Sequence, residues 1–278
     1  MTCEILGPGA LDYLPCRYGT SKLLFRGPAR VLEAPYVAFI GGTQTYGKFI
    51  KQPFPLKVEH LTGVTSVNLG QVNAGLDVFL LDPVVAEAAR GARVTVLEVL
   101  GAVNLNNRLY RVHKRRNDRF LRAAAELEAL YPEVDFSVFN FTNHMLSHLY
   151  TTAPARFAVV ERVLQRTWLR RMRQLLAQLG GKVILLRSGE TAPCARSCFD
   201  GPTMTACGAA LVTDEMVERL RPMVSAVVTV PLPDKPDRRM RQGMAFTSLE
   251  GAAAQAVPGP QAHTAAAQAL KPVLDRLM

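Results

Sequence analysis

Three short strand-like runs, each followed directly by a glycine, constrain the fold of this chain more than any other feature. The runs cover residues 36–40, 64–69 and 94–100. Between them lie stretches whose apolar residues recur every three or four positions, as on one face of a helix. Mainly apolar strands that alternate with helices are typical of a parallel sheet covered on both faces. The sequence therefore predicts an α/β fold.

The same alternation continues toward the end of the chain. Residues 182–186 and 226–230 predict a fourth and a fifth strand, and helical spacing marks residues 155–179 and 260–277. We expect a three-layer αβα architecture around a mainly parallel, five-stranded sheet of flavodoxin-like type. Pro272 lies inside the last predicted helix, where a proline is expected to kink or interrupt it.

The chain divides into an N-terminal arm and one domain. Residues 1–34 are rich in glycine and proline and have no long periodic run, so we predict an irregular arm that wraps the domain. Residues 35–278 form the predicted α/β domain. Helical spacing at residues 117–130 and 155–179 predicts a helical insertion in this domain at about residues 108–180.

Composition and charge exclude several classes of protein. A chain with 49% apolar and 20% charged residues is globular rather than disordered. The formal net charge of +10 favours a neutral or anionic partner over a cationic one. No run of about 18 uncharged apolar residues predicts a transmembrane helix, and the first sixteen residues lack the basic start of a secretory signal. Five cysteines are a sparse, odd set, which is expected in the reducing cytoplasm.

The first predicted strand leads into a glycine-rich turn, residues 41–47, with the sequence Gly-Gly-Thr-Gln-Thr-Tyr-Gly. Glycines at the carboxyl edge of a parallel strand let the backbone turn sharply and let a ligand approach closely. The hydroxyl of Thr43 is therefore expected at the edge of the sheet where open α/β folds bind ligands.

These strand ends resemble the motifs of the SGNH, or GDSL-type, hydrolases. Residues 41–47 are similar to the first block of that family, Gly-Asp-Ser-x-Thr-x-Gly. Residues 67–70 read Val-Asn-Leu-Gly where the family has a strand ending in Asn-x-Gly. Residues 101–104 read Gly-Ala-Val-Asn near its third block, Gly-x-Asn-Asp. The resemblance covers about residues 35–107 and, loosely, residues 257–275.

The resemblance implies an SGNH-like esterase or O-acyltransferase and assigns roles to four residues. Thr43 stands in the position of the nucleophilic serine, and the Gly70 N–H and the Asn104 amide stand in the positions of the oxyanion donors. His263 stands in the position of the general base in the final Asp-x-x-His block. Two acids of the family are absent here, because a glycine precedes Thr43 and because Pro260 replaces the aspartate that orients the histidine.

Two other hypotheses remain open. The absent aspartate is also expected of a catalytically inactive relative that binds a glycan or another anionic ligand at the sheet edge. The turn Gly42–Lys48 also has the spacing Gly-x4-Gly-Lys of a phosphate-binding loop, which predicts a nucleotide-dependent transferase, although Phe49 replaces the residue that would bind Mg²⁺. The chain further resembles an uncharacterised bacterial family of unknown function through the Tyr- and Gly-containing segment at residues 18–27, and that resemblance assigns no activity.

Basic residues cluster after the third predicted strand and along the long helix that follows. The first cluster consists of Arg108, Arg111, His113, Lys114, Arg115, Arg116, Arg119 and Arg122, and Arg166, Arg170 and Arg173 share one helix face. These residues form either a solvated surface or a rim that attracts an anionic substrate or a membrane surface. No recognition motif accompanies them, so no specific nucleic acid is expected.

Neither the cysteines nor the histidines predict a metal site. Cys194, Cys198 and Cys207 have a spacing that is uncommon for zinc thiolates. His144 and His148 lie four residues apart without a third ligand nearby. We therefore expect no metal and no cofactor, and we predict that the partner is a small molecule or glycan of anionic character.

Overall fold

The computed structural model describes residues 9–189, 209–231 and 241–278. Its strands form a five-stranded parallel sheet and a separate two-stranded antiparallel sheet. The strands are β1 (Tyr36–Ile40), β2 (Thr65–Asn68), β3 (Val94–Glu98), β4 (Tyr110–Val112), β5 (Phe120–Ala123), β6 (Val183–Ser188) and β7 (Ala226–Val230). The large sheet has the order β2-β1-β3-β6-β7, which confirms the predicted parallel α/β architecture.

Helices cover both faces of the large sheet. They are α1 (Thr43–Tyr46), α2 (Phe54–Thr62), α3 (Leu76–Leu80), α4 (Pro83–Gly91), α5 (Ala125–Leu130), α6 (Thr142–Thr152), α7 (Pro154–Leu179), α8 (Asp214–Glu218), α9 (Gly251–Gln255) and α10 (Pro260–Leu277). The helices α2 and α10 pack together on one face, and α3, α4, α6 and α7 supply the core on the other. The result is the predicted arrangement of three layers.

Strand β1 supplies side chains to two cores. Successive side chains of a strand point to opposite faces, so Ala38 and Ile40 join the core under α7 while Val37 and Phe39 join the core under α2 and α10. All of β1 is buried. This double burial explains why the strand reads as continuously apolar rather than alternating.

Helix ends follow the local signals in the sequence. The helix α2 ends at Gly63, whose φ of 70° lies in the left-handed region that glycine adopts without strain. Pro154 opens α7, where a proline loses no hydrogen bond. Thr213 caps the start of α8, because its Oγ1 accepts a hydrogen bond from the Met216 N–H at 3.3 Å.

The topology creates one crevice at the edge of the sheet. After β1 the chain passes through α2 to β2 on one side of β1, and then through α3 and α4 to β3 on the other side. The carboxyl ends of β1 and β3 therefore flank the point where the winding of the sheet reverses. Open α/β sheets bind their ligands at this switch point.

The predicted insertion contains a β-hairpin as well as helices. Residues 117–130 were expected to be helical, but Phe120–Ala123 pairs with Tyr110–Val112, and only Ala125–Leu130 is α-helical. Phe120 is buried whereas Leu121 is exposed, which is the two-residue period of a strand with one buried face. Over only four residues, the period of a strand cannot be told from that of a helix. The pairing of this segment with β4 makes it a strand.

Pro272 was expected to kink or interrupt α10, and the helix is not interrupted there, because it continues through this residue to Leu277. A proline inside a helix removes one backbone hydrogen bond. Leu270 and Leu274 are fully buried on either side of it, in the core shared with α2. Packing of this face therefore holds the helix together across the proline.

The N-terminal arm is irregular but belongs to the core of the domain. Its described residues, 9–34, contain no strand beyond an isolated bridge between Cys16 and Phe25. Tyr18, Leu23 and Phe25 are nevertheless buried in the core under α7. The arm is therefore held by apolar burial rather than by regular secondary structure.

Arg26 fixes the arm to the turn that follows α1. Its buried guanidinium donates hydrogen bonds to four backbone carbonyls at 2.6–3.2 Å, those of Tyr46, Gly47, Ile50 and Lys51. No carboxylate pairs with it in the part of the chain that the structure describes. The burial lowers the pKa of Arg26. A charged side chain thus holds the segment on which Lys48 and Phe49 are placed.

The cysteine cluster of residues 194, 198 and 207 lies outside the described residues. Among the helices that the structure describes, none combines the length and the apolar character needed to cross a bilayer.

Candidate functional site

A cavity of about 270 Å³ lies at the switch point of the sheet, against the ends of β1, β3 and β6. Its polar lining consists of Thr43, Gln44, Lys48, Asn73, Glu98, Asn104, Asn143 and Ser188. Its apolar lining includes Phe49, Leu100, Val103, Ala253, Ala256 and Val257. Amides and hydroxyls therefore outnumber charged groups on its walls.

Glu98 ends β3 and supplies a buried carboxylate to this cavity. Its Oε2 accepts three hydrogen bonds from the first turn after β1: from the Gly42 N–H at 2.9 Å, the Thr45 N–H at 3.1 Å and the Thr45 hydroxyl at 2.5 Å. Burial raises the pKa of Glu98, and the three donors oppose that rise. A side chain at Gly41 would lie within 2.5 Å of Glu98 and Thr45, so only glycine lets the carboxylate approach.

The geometry of the turn gives the predicted phosphate-binding loop at Gly42–Lys48 no support. Such a loop aims backbone N–H groups at the phosphate from the start of a helix. Here the N–H groups of Gly42 and Thr45 donate to Glu98 instead, and α1 ends after one turn at Gly47. These two N–H groups are therefore already used by an internal carboxylate.

Thr43 lies in the cavity wall, but its hydroxyl is engaged by Asn73. The Thr43 oxygen accepts from the Asn73 N–H at 2.9 Å and donates to Asn73 Oδ1 at 3.2 Å. Asn73 adopts a positive φ of 56°, and its Nδ2 donates to Asp118 at 3.2 Å. No histidine or acid of the described residues bonds to the Thr43 hydroxyl as a base would.

Asn104 lines the same cavity as Thr43. Its Oδ1 accepts a 2.6 Å hydrogen bond from the Thr142 hydroxyl, and its Nδ2 makes only a long contact of 3.5 Å with the Asn73 carbonyl. The amide is thereby oriented with its donor end less engaged than its acceptor end. Two of the four predicted site residues therefore share one cavity.

Gly70 is placed elsewhere. Its N–H donates to Asn68 Oδ1 at 2.9 Å, and it does not line the cavity. Gly70 instead packs against the turn after β1, because a Cβ at this position would lie 2.4 Å from the Tyr46 nitrogen. The role of oxyanion donor receives no support from this geometry, and close packing explains why the position is a glycine.

Gly70→Ala is expected to lower the free energy of unfolding by about 2–3 kcal/mol, because the added methyl group meets backbone that cannot yield. Urea unfolding at neutral pH measures this. Gly251→Ala is the matched control, since a Cβ there meets nothing within 4 Å and the φ of −55° suits alanine. Equal stability of the two variants would contradict the packing role.

His263 is buried beneath the sheet rather than placed in the cavity wall. Its Nδ1 accepts a hydrogen bond from the Phe54 N–H at 3.0 Å, and its ring stacks on Phe54 with 5.9 Å between centroids. Burial, followed by repulsion from Arg26 and Lys57, lowers the pKa of His263 to about 3. A group this weakly basic is a poor general base at neutral pH, so the predicted catalytic role of His263 lacks support.

Three polar atoms on the cavity residues are buried without a hydrogen-bond partner: Gln44 Nε2, Asn143 Oδ1 and Ser188 Oγ. Gln44 is only 6% exposed. Buried polar groups in folded proteins nearly always have a partner, and an unmet group is costly. These three atoms therefore have unmet hydrogen-bonding capacity on residues that line the cavity.

Sequence reasoning missed Glu98 and Gln44. A signal for Glu98 was present, because it is the only charged residue in the apolar run 94–100. A carboxylate at the end of a buried strand needs donors, and such a need often marks a site. Gln44 carried no local signal beyond its position next to Thr43.

The other predicted clusters stay apart from the cavity. His144 and His148 both contact the ring of Phe139, and the described residues contain no group of three metal-binding side chains. In the basic cluster, Arg108 pairs with Glu126, and Arg119 lies over the ring of Phe141.

The whole chain, residues 1–278, matches the family described as a domain of unknown function (DUF6473). The chain belongs to this family. The membership agrees with the resemblance to an uncharacterised family, and it assigns no activity. No curated protein and no solved structure matches the chain. The function must therefore be argued from the cavity itself.

Proposed function

We propose that this chain binds a small, hydroxyl-bearing molecule, such as a sugar or polyol, in the switch-point cavity. The observation that carries the proposal is the set of three unpartnered polar atoms on Gln44, Asn143 and Ser188. One amide donor, one amide acceptor and one hydroxyl are the groups that recognise hydroxyls, which both donate and accept. The apolar wall formed by residues such as Leu100 and Val257 suits the carbon face of a sugar.

The size and position of the cavity support the same function. Its volume of about 270 Å³ is close to the lower end of small-molecule sites, roughly 300 Å³. A cavity of this size suits a monosaccharide rather than a long chain. Its place at the switch point is the usual one for ligands of open α/β sheets.

The cavity favours a ligand that is not anionic, which differs from the prediction based on the net charge. Glu98 brings a carboxylate to the cavity, and the N–H groups of the first turn are already used by it. Lys48, the only cation of the described lining, has Glu250 nearby. The net charge of +10 is a property of the surface, where basic side chains such as Arg166 and Arg170 are exposed.

Binding is better supported than acyl transfer. An SGNH-like esterase needs an activated nucleophile with a base in hydrogen-bond reach. Thr43 and Asn104 share the cavity, but the Thr43 hydroxyl bonds to Asn73 and His263 bonds to the Phe54 N–H. We therefore favour the hypothesis of a non-catalytic binding protein over the esterase or O-acyltransferase.

Ser188→Ala tests the proposal by calorimetric titration with glucose, N-acetylglucosamine, inositol and glycerol. For whichever of these binds the wild type, we expect Ser188→Ala to weaken binding about fivefold to tenfold, the effect of one lost hydrogen bond. Ser66→Ala is the matched control, because Ser66 Oγ is also buried and unpartnered but lies on β2 outside the cavity lining.

Two results would contradict the proposal. The first is binding that Ser188→Ala and Ser66→Ala weaken equally, or no binding of any of the four compounds. The second is hydrolysis of a short-chain aryl ester by the wild type that Thr43→Ala abolishes, which would favour the esterase hypothesis instead.

A further inference from the structure

Within the described part of the chain, the carboxylate of Glu98 is buried without a countercharge. The residue is 7% exposed, and the three donors on its Oε2 are all neutral. Its other oxygen, Oε1, accepts no hydrogen bond from the residues that the structure describes, and Glu98 lines the cavity. No ion pair within the described residues includes it. A buried carboxylate in this state is costly unless a cation approaches it.

The cation of the cavity lining does not fill that role. Lys48 Nζ lies 4.8 Å from the centroid of the Phe49 ring, and the nearby Glu250 carboxylate has its pKa lowered in part by this lysine. Lys48 and Glu98 therefore do not form a pair, although both line the cavity. The open oxygen of Glu98 is left to a ligand.

We propose that Glu98 recognises a protonated amine, so that the ligand of this cavity is a small hydroxylated amine such as an amino sugar or an amino alcohol. This inference rests on the proposed function, because it names the ligand class of the same cavity. An ammonium group supplies the missing countercharge and three donors. Glu98 Oε1, which accepts no hydrogen bond from the described residues, is one acceptor for them. Asn143 and Ser188, whose Oδ1 and Oγ have no partner, line the same cavity.

The first turn after β1 prepares Glu98 for this role. The donors of Gly42 and Thr45 hold Oε2 and oppose the effect of burial on the pKa of the carboxyl. They leave Oε1 without a hydrogen-bond donor among the described residues. A neutral hydroxyl would give this oxygen one hydrogen bond without charge, whereas an ammonium gives a charge-assisted one.

Matched amine and alcohol probes test the inference by calorimetry at pH 7.0. We expect glucosamine to bind about tenfold or more tightly than glucose, and ethanolamine to bind more tightly than ethylene glycol, because only the amines neutralise Glu98. In Glu98→Gln the side-chain oxygen still accepts from Gly42 and Thr45, so the fold is kept while the charge is lost. The preference for the amine over the matched alcohol is expected to disappear in this variant.

Thr45→Val is a second variant that does not depend on removing Glu98. Thr45 does not line the cavity, and its hydroxyl donates to Glu98 Oε2. Losing that donor raises the pKa of Glu98 further. Amine binding weakens as the pH falls, because Glu98 takes up a proton. This weakening should begin at a higher pH in Thr45→Val than in wild type. The affinity for glucose should not show this shift in pH dependence.

The outcomes separate the two proposals. Equal binding of glucosamine and glucose, with both weakened by Ser188→Ala, would overturn the role of Glu98 and leave the proposed function standing. An amine preference that survives in a folded Glu98→Gln variant would also overturn it. If no probe binds, or Ser188→Ala has no effect, both proposals fail.

Discussion

Replacing His263 with asparagine is expected to remove about 2 kcal/mol of acid destabilisation between pH 6.5 and pH 4.5. Burial lowers the pKa of this histidine from its ordinary 6.5 to about 3 in the folded protein. Between these two values the unfolded chain binds a proton that the folded protein does not. The stabilisation is therefore complete above pH 6.5 and is lost as the pH falls toward 3, by about 1.36 kcal/mol per pH unit.

Asparagine suits this test because its Oδ1 can accept the Phe54 N–H that His263 Nδ1 accepts, and because it does not titrate. The variant should be less stable than wild type at pH 7.5, since it loses the stacking on Phe54. The free energy of unfolding of the variant should nevertheless change less with pH than that of wild type. Urea unfolding at pH 7.5, 6.5, 5.5 and 4.5 measures the difference. His60→Asn is the control, because His60 is exposed on α2. Parallel curves for wild type and His263→Asn would refute the burial of a neutral imidazole.

Arg26→Met is expected to lower the free energy of unfolding by about 3 kcal/mol or more, because four backbone carbonyls, two of them in buried hydrogen bonds, lose their charged donor. Methionine keeps much of the volume of the side chain without a donor. The free energy of unfolding of Arg26→Lys should lie between those of Arg26→Met and wild type, since an ammonium makes at most three hydrogen bonds and lacks the planar fork of a guanidinium.

Arg30→Met provides the comparison for Arg26→Met. Arg30 also lies in the N-terminal arm, but it makes a partly exposed ion pair with Glu59 at 2.8 Å. Such pairs contribute about 0–1 kcal/mol. Thermal and urea unfolding of the two variants should therefore differ by about 2 kcal/mol or more. Similar losses would mean that Arg26 is an ordinary surface contact.

The architecture could be predicted from local patterns because burial on both faces leaves a strong local mark. A strand such as β1 reads as continuously apolar, and α7 shows its buried stripe over 26 residues. The hairpin strand β5 could not be recognised, because only four residues are involved and one face is exposed. Its pairing with β4 cannot be recognised from the apolar period of β5 alone.

The candidate site was predicted in part. Thr43 and Asn104 follow strands of the same parallel sheet, so their position at one edge is a consequence of topology. His263 could not be placed in this way. Its partner Phe54 lies 209 residues away, and the choice between a cavity and a buried hydrogen bond depends on how α10 packs on α2.

The amino-acid sequence by itself determined the five parallel strands, the three-layer architecture and the sheet edge at which polar residues lie. These features follow from the local period of apolar residues and from the glycines at the strand ends. The tertiary structure alone decided which of those residues face the cavity and which are used in packing. Gly70 and His263 pack in the interior of the protein, while Glu98 and Gln44 line the cavity. The physical reason is that each side-chain donor and acceptor finds its partner across long separations in the chain, and only the packed helices bring those partners together.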